Sequence, residues 1–199
     1  TNEEKRMEVF EVKFPEQLKL TDEEFFAFCQ ENRHLRMEKT SKGEILIMAP
    51  TEGETGRTNF NIVTKLGIWN EQAQLGEAFD SSTGFTLPNG ATRSPDAAWV
   101  IQARWDALSA EDKKKFPPLC PDFVIELLSE SDPLKQTQDK MQEWLDNGCR
   151  LGWLLDPARK QAFVYRPGQA PEALSGFDQQ LSGEDVLPGF VLDLGQLLK

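Results

Sequence analysis

PDFVIELLSESDPLKQTQDK, residues 121–140, reads as a buried strand that runs into a helix, with one carboxylate where a buried strand should carry none. Phe123, Val124, Ile125, Leu127 and Leu128 make the apolar run, and Glu126 interrupts it. Side chains alternate faces along a strand, so Asp122, Val124, Glu126 and Leu128 share one face and Phe123, Ile125 and Leu127 the other. A lone carboxylate in apolar surroundings tends to take up a proton, because burial disfavours the charged form. Glu126 therefore requires a cation or water beside it.

The segment that follows supplies a cation. Ser131 or Asp132 is suited to cap a helix, Pro133 to its first turn and Gly148 to its end. At about 100° per residue, Leu134, Met141, Trp144 and Leu145 fall on one stripe, with Lys140 on its flank. From there a lysine can bend toward the sheet while its stem covers apolar surface. A second carboxylate, Asp96, opens the apolar run AAWVI after Ser94-Pro95 and is placed to face the same cleft.

Upstream, Thr21 with Glu24 three residues on forms a capping-box pattern ahead of Phe25, Phe26, Phe28 and Cys29, which predicts a helix. The run EILIM (44–48) predicts a strand. Ile62, Leu66 and Trp69 at helical spacing predict a second helix beginning near 54–58, which puts Glu54 at its N-terminus, where a carboxylate is electrostatically favoured. Strands are expected over 77–81, 84–87, 96–101 and 122–128, the second and third joined by the turn Pro88-Asn89-Gly90. LGWLLD (151–156) and QAFVYR (161–166) read as two more, and LSGEDVLPGFVLDL as a last short strand with a closing segment. Strands, a helix and further strands in this order fit a mixed sheet flanked by helices, the α/β or α+β class.

Composition narrows the chemistry. The 199 residues suffice for one sizeable core, and 39% hydrophobic with 28% charged residues is the balance of a soluble globular protein. The first 14 residues lack the apolar core and cleavage site of a signal peptide, so a cytoplasmic location is expected, with no membrane partner. Cys29, Cys120 and Cys149 form no C-x-x-C pair and read as reduced thiols. His34 is the one histidine, which leaves a hydrolase triad or a zinc site poorly supplied. A net charge of −11 opposes broad attraction to a polyanion, although a divalent metal can reverse the local field.

Carboxylates converging beside an ammonium make a site for a hard divalent ion, since Mg²⁺ takes one or two carboxylates, keeps several waters and accepts phosphate oxygens. Acid, acid and lysine thus form a workable set for phosphodiester hydrolysis without histidine.

The chain resembles the Uma-two-like proteins, a restriction-endonuclease-like group within the PD-(D/E)-x-K nuclease superfamily. The resemblance runs through IMAPTEGETGRTN, FDSSTGFTLPNGATRSPDAAWV, PPLCPDFVIELLSESD, KMQEWLDNGCRLGWLLDP and LPGFVLDL. It implies one restriction-endonuclease-like domain over 1–199, with an N-terminal helix and strand extension over about 1–50. It also implies a Mg²⁺- or Mn²⁺-dependent endonuclease acting on DNA, with Asp96 and Glu126 as metal ligands. The superfamily's E-x-K lysine position is Leu128 here, and the resemblance implies that Lys140 of the following helix replaces it. Glu54 matches the family's additional helix-borne acid, so the resemblance implies an auxiliary ligand there, while Gln138 is a supporting hydrogen-bond candidate. By analogy a homodimer is expected.

Rival readings stand beside these. Glu126 could be salt-bridged to an arginine as a structural carboxylate, and Asp122 in the second PD could cap the strand's start. The run Lys113-Lys114-Lys115 could be a solvated loop or a DNA contact. The whole domain could be a catalytically inactive nuclease-fold module that binds DNA or protein. A carboxylate pair would also serve sugar hydrolysis, but Lys140 then has no role.

Overall fold

The computed structural model describes residues 9–15, 18–130 and 132–197. In chain order the elements are β1 (Val9–Val12), α1 (Asp22–Glu31), β2 (Arg36–Lys39), β3 (Ile45–Met48), α2 (Gly53–Ala73), β4 (Gly76–Asp80), β5 (Phe85–Thr86), β6 (Thr92–Arg93) and β7 (Ala97–Ile101). After these come α3 (Gln102–Asp106), β8 (Phe123–Leu127), α4 (Leu134–Asp146), β9 (Leu151–Asp156), β10 (Gln161–Tyr165), β11 (Glu172–Ser175), β12 (Gln180–Ser182), β13 (Val191–Asp193) and α5 (Leu194–Leu197). The class is the expected α+β, a mixed sheet flanked by helices, with the strands divided among a six-stranded, a five-stranded and a two-stranded sheet.

The opening stretch becomes the centre of the larger sheet, whose order is β11-β10-β9-β8-β7-β4. Strand β8 pairs antiparallel with β7 and parallel with β9, and α4 is the crossover between β8 and β9. Every residue of β8 is buried, and its two faces serve two cores. Phe123 and Ile125 join Ile62, Leu66 and Trp153 beneath α2, whereas Val124 joins Met141 and Trp144 beneath α4. The predicted stripe on α4 therefore packs as expected, with Met141 and Trp144 fully buried.

Gly152 lets α4 come close to the sheet. A Cβ there would stand 2.5 Å from Met141 Cε. Gly152→Ala is accordingly expected to lower stability by about 1–3 kcal/mol through overpacking, measured as a lower urea midpoint at unchanged m-value; an unchanged midpoint would show that Met141 has room to move.

The capping box at Thr21 forms, with Thr21 Oγ1 accepting from Glu24 N and Glu24 accepting from Thr21 N. Helix α2 starts one residue before Glu54.

Three expectations change. The turn at 88–90 joins β5 to the unforeseen β6, not to β7, because β5 and β6 belong to the five-stranded sheet β1-β3-β2-β6-β5. Helix α4 is preceded by Pro133 with no side-chain cap, since the Asp132 carboxylate instead accepts from Ser129 N; Ser131 lies outside the described residues. The tail holds three strands and a helical turn where one strand was expected.

Candidate functional site

Ala97 pairs with Ile125 across the β7–β8 ladder, so Asp96, one position earlier, stands opposite Glu126 on the same face of the sheet. Asp96 Oδ2 accepts from Leu127 N at 2.8 Å, which extends the ladder by one side-chain bond and fixes the carboxylate. Lys140 reaches in from α4. Its Nζ lies 2.9 Å from Glu126 Oε1 and 3.0 Å from Glu38 Oε1, and it donates to Ser94 O at 3.3 Å. Asp96, Glu126 and Lys140 thus meet in one place.

Glu38 is the residue that the sequence reading missed. It sits on β2 with only 3% exposure, accepts from Ser94 N at 2.9 Å and pairs with Arg93 Nη1 at 3.1 Å. Arg93 in turn binds Glu143 Oε2 at 2.6 Å. The signal was the alternation in Arg36-Met37-Glu38-Lys39, which puts Arg36 and Glu38 on one face. A four-residue strand with three charges does not look buried until its partners are known.

Two expected residues stand elsewhere. Glu54 is exposed on the first turn of α2 and outside the cavity wall, which Glu52 and Thr55 help to form. Gln138 also lies outside that wall, whereas Gln136 and Thr137 line it. Asp122 is a structural carboxylate: it accepts from Ile101 N and pairs with Arg104 at 3.0 Å. Lys113 lies over the Trp105 ring and Lys115 pairs with Glu111.

The electrostatics answer the question that Glu126 posed. Burial pushes its carboxyl up to about 7, against the opposing pull of Lys140 and with the help of Asp96 and Glu38. Burial also raises Asp96, more than the Leu127 N–H and Lys140 lower it. Glu38 goes the other way. Burial would raise it, but Lys140, Arg93 and the Ser94 N–H together hold it at about 2. Burial acts to lower Lys140, and Glu126 and Glu38 more than offset that, keeping it an ammonium.

The cavity over these groups has a volume of about 690 Å³. Among the described residues nine carboxylates and three cations line it. Glu126 Oε1 also accepts from Trp144 Nε1 at 2.8 Å, so Oε1 carries both of its protein contacts and Oε2 carries none among the described residues. Asp96 Oδ1 accepts no hydrogen bond among the described residues and pairs with Arg36 at 3.9 Å. One oxygen on each acid is therefore available, and both carboxyls are raised by surroundings that a divalent ion would relieve. Among the described residues no cluster of three or more His, Cys, Asp or Glu side chains is placed to hold a metal. The donor set fits an ion that takes two carboxylates and fills its other positions with water or phosphate oxygens, as Mg²⁺ does.

Comparison with known proteins bears on the family and the fold. A family model, Uma2, described as "Putative restriction endonuclease", matches residues 22–195. A crystal structure of a "putative nuclease belonging to DUF820" from Anabaena variabilis superposes with a TM-score of 0.72 at 22% identity, covering 90% of this chain and 97% of that one. At that identity the likeness carries the fold alone. No curated protein matches the chain. Among the described residues no helix is long and apolar enough to cross a membrane.

Proposed function

The chain belongs to the Uma2 family, and on that premise we propose that it is a divalent-metal-dependent endonuclease that hydrolyses phosphodiester bonds of DNA at the cavity over Asp96, Glu126 and Lys140. The observation that carries the reading is the facing pair of acids with the Lys140 ammonium held between Glu126 and Glu38.

Asp96 and Glu126 would hold Mg²⁺ or Mn²⁺ through the oxygens that the protein leaves free. When bound, such an ion supplies a water of lowered pKa and positive charge against the reacting phosphate. Lys140, fixed on three sides, would steady the nucleophile and the transition state through its positive charge, which lies beside the place where negative charge develops. Trp144 holds the inner oxygen of Glu126 and so aims the other at the cavity. Leu127 N does the same for Asp96. Glu54 as an auxiliary ligand remains a weaker part of the proposal, since it stands outside the cavity wall. A homodimer is the assembly expected for cutting both strands of a duplex.

The test is incubation of the purified protein with supercoiled, linear and single-stranded DNA in Mg²⁺ or Mn²⁺. Wild type is expected to cleave and Glu126→Gln to lose cleavage by about two to three orders of magnitude; equal cleavage by both removes the site. A second reading is favoured by the excess of carboxylates in the cavity: a nuclease-fold module that binds without cutting. Calorimetric titration separates the two, because a protein with no affinity for either ion fits the module.

A further inference from the structure

A cavity with nine carboxylates and three cations is a poor place for a phosphodiester unless one cation is free to meet it. Two of the three are already engaged. Lys140 lies between Glu126 and Glu38, and Arg93 lies between Glu38 and Glu143 with its side chain only 12% exposed. Arg36 differs. Its side chain is 39% exposed, and its contact among the described residues is Asp96 Oδ1 at 3.9 Å, too long for a hydrogen bond. The alternation of β2 turns it to the same face as Glu38, which brings the guanidinium to the cavity beside Asp96.

We propose that Arg36 is the phosphate-holding residue of this cavity, gripping the nucleic-acid backbone next to Asp96. The assignment rests on the nuclease reading above. A guanidinium presents its N–H groups in a planar fork that matches two phosphate oxygens, and it is more weakly hydrated than an ammonium, so it gives up little on leaving water. In a field this acidic no other cavity cation among the described residues substitutes for it. Loss of Arg36 therefore removes affinity, while Lys140 and the acids stay where they are.

The experiment is fluorescence anisotropy with labelled single-stranded and duplex oligonucleotides, with Ca²⁺ in place of Mg²⁺ so that binding is read without turnover. Arg36→Ala is expected to raise Kd by about ten- to a hundredfold, the size of a lost charge-assisted hydrogen bond. It should also flatten the dependence of log K on log salt by about 0.7–0.9, the loss of one phosphate contact. Arg36→Lys should recover part of the affinity. Lys42→Ala, on the exposed turn between β2 and β3 and outside the cavity wall, should change Kd by less than about twofold, since a surface charge distant from the contacts is screened. A Kd and salt slope for Arg36→Ala equal to wild type overturn the assignment and leave the nuclease reading standing. A raised Kd with an unchanged slope also overturns it, because that is the mark of a structural role. Wild-type protein that binds no oligonucleotide overturns both.

Discussion

Lys140→Met is expected to cut cleavage by about two to three orders of magnitude and, at pH 8, to lower stability by about 3–5 kcal/mol, while Mg²⁺ still binds. The three effects have one origin. The ammonium is within 3.0 Å of both Glu126 and Glu38, so its removal leaves two buried carboxylates without their principal counter-charge. Methionine keeps the stem that covers apolar surface, and the comparison therefore reports charge more than packing. Without the ammonium both acids gain protons more readily, so the stability loss should shrink at lower pH. Metal affinity should persist, because Lys140 competes with a bound cation for Glu126 and is not itself a ligand. Urea denaturation at two pH values, calorimetry and a cleavage assay check the set. Cleavage and stability equal to wild type would remove Lys140 from both the mechanism and the network.

The second large effect falls on Glu38, the residue that joins the site to the five-stranded sheet. Glu38→Gln puts a neutral amide between Lys140 and Arg93, and it should lower stability at neutral pH by about 3 kcal/mol. The pH dependence gives a sharper check. The folded carboxyl stands near 2 against an ordinary 4.5, a depressed value. Its contribution is therefore present above about 4.5 and is lost as pH falls toward 2, because the unfolded chain takes up the proton first. In Glu38→Gln that acid limb should be shallower than in wild type. Glu126, with its raised value, acts in the opposite sense. Its burial reduces stability as pH climbs from 4.5 to about 7, so it cannot mimic the Glu38 limb. Identical acid limbs in wild type and Glu38→Gln would show that Glu38 is not held as an ion.

Much of the frame was legible in the residues themselves. The run at 123–128, the stripe on 134–145 and the doublet 151–166 each announce their element by period, and β8, α4, β9 and β10 form there. Asp96 and Glu126 were readable as a pair because each is an acid on an apolar strand. Charged short strands were not readable. β2 has three charges in four residues, and β6 has two residues in all, too few for any period to show. Arg93 and Glu143 were missed for the same reason as Glu38: nothing local marks a charge whose partner is 50 or more residues away.

The sequence by itself determined five of the six strands of the larger sheet, all but β11, the faces of β8 and the position of Lys140 on the flank of its helix, because backbone period and side-chain direction are local properties. The tertiary structure decided which charges neutralise one another. Lys140 meets Glu38 across 102 residues of chain, and Glu54 stays at the surface while Glu52 faces the cavity. Coulomb energy depends on distance in space and on burial, and neither is written in the order of the residues.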